Sequence, residues 1–305
     1  MKGLLMKKCF SSRLILVFAV SIAGSPAFGQ DRFSDPVQVL IVTAHPDDDA
    51  AFSGVVYQIT HQLGGAVDLA LVTDGSGGFR YSTLAEKIYG LEITNEAVAR
   101  DHLPAIRKQE LMAGGSIVGI RNYFFLDQLD DAFSTDPQPA LTTIWDAVFV
   151  RERLAELMRK GSYDLIVVAL PFAQMHGHHK AATILALEAV DLLQRGERPV
   201  VLGGFLCAVG GRSIQFDGLD GYAITAVGSG EPLVEFDRTQ KFGFNNRLDF
   251  RIIANWVIAE HKSQGAMQLN MNRGDAECYW SFDVNDLSQE AAVRDLFGRL
   301  TVGER

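Results

Sequence analysis

The chain has 305 residues, 48% of them hydrophobic and 21% charged, with a formal net charge of −9. This balance is that of a globular protein with apolar material for a large core. The acidic surplus argues against a nucleic-acid partner, because phosphate binding calls for a basic face.

The first 29 residues read as a secretory signal peptide rather than as part of the fold. Lys2, Lys7, Lys8 and Arg13 form a basic n-region without acids, "LILVFAVSIAG" is a short apolar run, and Ala27 and Gly29 are the small residues before a cut near Gln30. The apolar run falls short of the ~20 residues that a membrane span needs. Removing residues 1–29 takes away those four bases and no acid, so the net charge falls from −9 to −13. The mature chain is expected to be exported, periplasmic or extracellular, with no stable membrane insertion. Cys207 and Cys278 then remain, either bonded in an oxidising compartment or buried as thiols.

From there strand and helix patterns alternate. A buried strand over 37–44 leads into a helix over 50–64 that stops at Gly64, and a second strand covers 66–75. A helix is expected over 104–119 with Pro104 at its start, then a third strand over 122–127 and a helix over 144–161. The fourth strand, 163–170, is closed by Pro171. A helix over 178–196, a fifth strand over 199–209, an irregular glycine-rich region over 210–230 and a late helix over 246–261 complete the series. The late helix is read as carrying Leu248, Ile252 and Trp256 on one side. Strands separated by helices predict an α/β, Rossmann-like open and mostly parallel sheet covered by helices on both faces. One domain from residue 30 to 305 is the simplest organisation.

The first strand ends in "AHPDDDA", residues 44–50. Three adjacent carboxylates repel one another, and a helix N-terminus offsets that only in part. A divalent cation would offset it more fully. The fourth strand ends near "HGHH", residues 176–179, where three of the seven histidines fall and Gly177 lets the backbone bend. Ligands of open α/β sheets bind outside the carboxyl ends of the strands, so both clusters can share one rim. His45, one aspartate and one histidine would form a three-ligand site with an open position, the catalytic pattern for zinc. Taken singly, "HxxH" and "DDD" are weak signals that exposed turns also produce.

"AHPDDD" after a first strand resembles the AHPDDE signature of the LmbE/PIG-L family of zinc-dependent de-N-acetylases, and "HGHH" resembles that family's later HPDH motif. "VTDGSGG" (72–78), "RKQE" (107–110), "FFL" (124–126) and "HKSQ" (261–264) agree with it, so the similarity covers most of residues 37–265. The resemblance implies that His45, Asp48 and His179 hold the metal, Zn2+ or alternatively Fe2+. It implies that Asp47 is the general base for the attacking water and that His176 stabilises or protonates the tetrahedral species. Two positions depart from the pattern. Asp49 stands where the family has glutamate, and His178 replaces the aspartate between the later histidines, so no negative charge stands beside His176 in the sequence.

The expected activity is that of a metal-dependent deacetylase, removing acetyl from an N-acetylated amino sugar or related glycoconjugate. Two alternatives stand beside it: a non-catalytic exported metal- or sugar-binding protein, and a non-haem iron oxygenase, whose triad also combines two histidines with a carboxylate. Arg107 and Glu110, one helical turn apart, read as a surface pair. His261 is expected to line the site or to cap its helix. His61 and His102 read as surface histidines. Phe79, Tyr81, Tyr89 and Phe172 are candidate walls for a small-molecule or glycan substrate. "DGSGGF" follows the second strand rather than the first and is a poor match to a dinucleotide loop. The oligomeric state is not legible.

Overall fold

A computed structural model describes residues 33–210 and 214–301, and Asp31–Arg305 cluster as one compact unit. The expected signal peptide, 1–29, lies outside the described residues. Among the described residues no helix is long and apolar enough to cross a membrane.

Among the described residues seven strands form one sheet. They are β1 (Gln38–Thr43), β2 (Ala66–Thr73), β3 (Ile120–Gln128), β4 (Leu165–Ala169), β5 (Val200–Cys207), β6 (Val234–Asp237) and β7 (Ala276–Ser281), in the spatial order β3-β2-β1-β4-β5-β7-β6. β1 to β5 pair in parallel, whereas β7 runs antiparallel to both β5 and β6. The order reverses between β1 and β4, and that switch point opens the crevice in which α/β proteins place their ligands.

The central strands are apolar on both sides because helices cover both faces. In β1, Val39 and Ile41 face one layer while Leu40 and Val42 face the other, as the period of two requires. The first layer holds α1 (Ser53–Tyr57), α3 (Glu96–Val118), α6 (Arg251–Glu260) and α8 (Glu290–Leu300), contributing Val55, Leu111, Val257 and Leu296. The second holds α4 (Ala147–Gly161) and α5 (Gly177–Asp191), contributing Leu154, Met158, Leu185 and Val190. Two short helices, α2 (Glu86–Tyr89) and α7 (Gly265–Gln268), lie in the loops.

The segment after β1 is helical in three steps: a 3-10 turn over Asp48–Phe52, then α1, then a π-turn over Gln58–Gln62. α3 begins at Glu96, eight residues before Pro104, behind the N-cap Asn95, whose side chain accepts from the amides of Ala97 and Val98. Pro104 is therefore inside the helix and not at its start. The buried face of α6 is Ile253, Ala254, Val257 and Ile258. Trp256 and Leu248 are exposed, so the expected apolar side of this helix is corrected. β6, β7 and α8 were not anticipated. Cys207 at the end of β5 and Cys278 in β7 are joined by a disulfide, which selects one of the two open readings.

Candidate active site

Loops leaving β1, β2, β3 and β4 meet at the carboxyl edge of the sheet. Behind β1 the chain turns sharply, and the Asp48 side chain folds back on that turn. Its Oδ2 accepts from the amides of Ala44 at 3.0 Å and His45 at 2.8 Å. This leaves Oδ1 facing His179 Nε2 at 3.0 Å, while His179 Nε2 lies 2.9 Å from His45 Nδ1. The three sequence-predicted ligands thus present one oxygen and two ring nitrogens to one point, all within 4.8 Å of one another. Donors on a zinc ion with bonds of ~2.0–2.2 Å stand roughly 3.3 Å apart, so two imidazoles and one carboxylate at these separations fit a divalent ion. The neighbouring histidines hold the Asp48 carboxyl well below its usual range despite burial.

His178 and His179 lie in the first turn of α5, and His176 is its N-cap. Gly177 between them makes room rather than a bend: a Cβ there would stand 2.2 Å from the carbonyl oxygen of Asp136. Its own amide donates to Ser134 at 2.6 Å. The His176 ring stacks on exposed Phe133, with centroids 4.9 Å apart, and makes no hydrogen bond among the described residues. Burial, aided by the three neighbouring histidines, lowers His176 to a pKa of about 3. It is a neutral imidazole.

A carboxylate does approach this cluster, although it reaches His45 and His178 rather than His176. Asp130, in the loop after β3, places Oδ1 at 3.4 Å from both His45 Nε2 and His178 Nδ1. Burial works against a charge on His45, but Asp130 and Asp48 outweigh it and raise its pKa. His178 is lowered by burial in spite of Asp130, and it packs against Trp145. An outer carboxylate on the far nitrogen of a liganding histidine fixes the ring and its tautomer. Asp130 was not anticipated, and no motif marks it.

Asp47 is held by Arg107, whose Nη2 donates to Asp47 Oδ1 at 2.8 Å. The other oxygen of Asp47 makes no hydrogen bond among the described residues. Arg107 Nη1 also donates to the carbonyl of Gly75 at 2.7 Å and stands 3.6 Å from Asp130 Oδ2. Gly78 leaves room for this guanidinium, since a Cβ there would lie 2.7 Å from Nη1. Arg107 and Glu110 are both buried and do not pair with each other, which corrects the surface-pair reading. Glu110 instead accepts from the Ser263 amide, the Ser263 hydroxyl and Tyr89. His261 is the C-cap residue of α6, but its buried side chain bonds Asp49 rather than the carbonyls of its helix. Tyr89 and Phe79 belong to a small loop core and Phe172 packs edge-on against Phe205, whereas Tyr81 is exposed. His61 and His102 lie at the surface, as expected.

The floor beneath the aspartates is fixed by a second buried pair. Arg238 donates to Glu277 at 2.7 Å, each side chain 1% exposed. Arg238 also donates to the carbonyls of Ala50 and Ala51, and Glu277 accepts from the amides of Gly54 and Val55. The turn that carries Asp48 and Asp49 is thus pinned to β7 and to the residue that follows β6.

Residues 40–190 match the model of the PIG-L family, described as GlcNAc-PI de-N-acetylase. A probable N-acetyl-α-D-glucosaminyl L-malate deacetylase 2 from Bacillus cereus is 24% identical over 163 residues, 53% of this chain; the match spans 65% of that relative's length. Among solved structures, the N,N'-diacetylchitobiose deacetylase of Pyrococcus horikoshii superposes with a TM-score of 0.50 at 18% identity, covering 74% of this chain and 70% of that one. A triple mutant of a deacetylase of the teicoplanin pathway gives 0.51 at 18% identity, covering 82% and 100%. These likenesses show the fold, a mostly parallel seven-stranded sheet with flanking helices. Together with the family model and the motifs on one rim of that sheet, they lead to one statement of kinship: the chain belongs to the PIG-L (LmbE) family.

Proposed function

We propose that the chain is a metal-dependent amide hydrolase, a de-N-acetylase acting on an N-acetylated amino sugar or a related glycoconjugate. The observation that carries this reading is the convergence of His45 Nδ1, Asp48 Oδ1 and His179 Nε2 beside the half-free carboxylate of Asp47. Zinc is the proposed ion and ferrous iron the alternative, since imidazole and carboxylate suit both. Held by those three residues, the ion supplies Lewis acidity that polarises the acyl carbonyl and acidifies a water.

The chain's own groups do the rest. Asp47 takes the proton of the attacking water through its unbonded oxygen, while Arg107 keeps the carboxylate in place. The same carboxyl then returns the proton to the nitrogen as the C–N bond breaks, giving acetate and a free amine. His176, being neutral, acts as a hydrogen-bond donor to the developing oxyanion rather than as an acid. Phe133 backs that ring, and Asp130 orients His45.

The test is incubation of metal-loaded protein with a panel of N-acetylated sugars and glycoconjugates, reading released acetate and primary amine. Release that stops on chelation and returns with metal is the expected result. A panel that yields no amine overturns the proposal.

We also propose that the chain is exported, with a mature N-terminus near Gln30. Support comes from the signal-like sequence and from the Cys207–Cys278 disulfide, a cross-link that persists in oxidising compartments. N-terminal sequencing of protein recovered from the envelope or medium tests this, and an intact Met1 in a membrane fraction would overturn it.

A further inference from the structure

His178 has no part in the hydrolysis proposed above, yet it is buried against the donor cluster. Its Nδ1 lies 3.2 Å from His45 Nε2, the nitrogen of that ring not directed at His179. Asp130 Oδ1 is 3.4 Å from both nitrogens. A hydrogen-bonded triad has a different shape. Charge-assisted N–H···O bonds close to about 2.7–2.9 Å, and two facing ring nitrogens need a proton between them. Here neither nitrogen has closed on the carboxylate, and the three atoms form a nearly equilateral triangle. Its sides match the roughly 3.3 Å between donors on a zinc ion, the same spacing as in the first donor set. The His176 ring adds a fourth donor. One nitrogen from each of His45, His176 and His178 lies within 4.8 Å of the others, and His176 makes no hydrogen bond among the described residues. Asp130 Oδ2 is turned to Arg107, 3.6 Å away, which leaves Oδ1 for the cluster.

We propose that His45 Nε2, His176, His178 Nδ1 and Asp130 Oδ1 form a second site for a divalent transition-metal ion, and that the His45 ring bridges it to the first. Three imidazoles and one carboxylate suit Zn2+ or Cu2+ and not the oxygen-seeking Mg2+ or Ca2+. The third imidazole is the one that stands at position 178, where the family motif has aspartate. Ions on the two sides of the His45 ring stand about 6 Å apart, with a nitrogen–ion bond of ~2.0 Å at each side. To bridge them, the ring gives up its remaining proton to solvent. That cost and the repulsion between two dications make the second ion the weaker one. The purified chain therefore keeps one ion, and the second enters when metal is added. With one ion bound, Asp130 orients His45; with two, it is itself a donor. The inference goes beyond the hydrolase reading and rests on it only for the first donor set.

The experiment strips the chain with a chelator and dialyses it against excess Zn2+, with ions per chain read by elemental analysis. The wild type should hold about two ions, and His178→Asn, which keeps a hydrogen-bonding group beside Asp130, about one. His176→Asn should also stop at one. It serves where the buried variant does not fold, since His176 is a half-buried N-cap and asparagine is a favoured cap. Refilling with Cu2+ tests the bridge. A ring shared by two copper ions couples their spins, so the electron paramagnetic resonance intensity should fall as the second equivalent binds. In His178→Asn the intensity should level off after the first. A wild type that saturates at one ion would overturn the inference and leave the first donor set standing. Two ions in both wild type and His178→Asn would mark the second as adventitious and overturn it as well. Two copper signals that simply add would remove the bridge, and with it the proposed site. A chain that holds no ion at all would overturn both this site and the first.

Discussion

Asp49 and His261 lie 212 residues apart and meet in a 2.8 Å hydrogen bond with both side chains 1% exposed. Burial pushes the Asp49 carboxyl up, while the Asp49 carboxylate draws His261 up against its own burial. Among the described residues the second oxygen of Asp49 is buried without a partner. The pair thus ties the end of α6 to the turn bearing the aspartates. His261→Ala should leave a buried carboxyl with no partner and cost about 3 kcal/mol of stability. Urea unfolding read by circular dichroism checks this. An unchanged midpoint would mean that the pair contributes nothing.

Arg238 and Glu277 make a stronger case for the same turn, because each also holds backbone groups of residues 50–55. Glu277→Ala strips the partner from a buried guanidinium and should destabilise by about 3–5 kcal/mol. Glu277→Gln keeps an acceptor and should cost less. The comparison is made on the same urea curves, and equal losses in the two variants would count against an electrostatic origin.

Of the five parallel strands, β1, β2, β4 and β5 are legible as buried, mostly apolar runs closed by a turn or proline, while β3 is legible only through the apolar centre of a largely half-exposed segment. The proposed donor cluster is legible for a different reason: charges that no turn needs recur after two strands. Other features depend on partners distant in sequence. β7, "AECYWS", carries the buried Glu277 as its second residue, which makes sense only once Arg238 is seen beside it. Arg107 and Glu110 sit at the spacing of an exposed pair, yet their partners come from the loops after β1, β2 and α6. Asp130 lies in "DQLDDAF" among other acids, and only the approach of β3 to β1 and β4 through the loops singles it out. Trp256 was misplaced because α6 packs on α3 through Val257, and a tryptophan at its solvent side is not visible as such from periodicity.

Metal content tests the donor set directly. The purified chain should carry about one divalent ion per molecule by elemental analysis. His179→Ala removes the nitrogen that stands between His45 and Asp48 and should lose most of it. Wild-type metal content in that variant would refute the assignment.

Asp130 is a positioning residue, since it reaches the outer nitrogen of His45 rather than the donor centre. Asp130→Asn should weaken metal affinity about 10- to 100-fold, as loss of an outer carboxylate does elsewhere. Competition with a chromogenic chelator measures this without reference to turnover. Unaltered affinity would make Asp130 a structural acid only.

Asp47 and Asp48 are adjacent carboxylates at one helical turn, and a purely electrostatic cluster would treat them alike. Their bonding does not. Asp48 is fixed by two backbone amides and aims its remaining oxygen at His179, so Asp48→Ala should lower metal content and activity together. Asp47 gives one oxygen to Arg107 and keeps the other unbonded. In Asp47→Asn the amide oxygen can still accept from Arg107, so the loop and the metal content should stay close to wild type. An amide nitrogen in place of the free oxygen cannot take a proton at neutral pH. A lost general base lowers rates by roughly 10²- to 10⁴-fold, so kcat should fall by about that factor with KM little changed. The check is elemental analysis beside steady-state kinetics on a substrate drawn from the panel. Equal metal loss in both variants would make Asp47 a ligand. Full metal with undiminished kcat in Asp47→Asn would remove it from the chemistry and favour a protein that binds at this site without turning over.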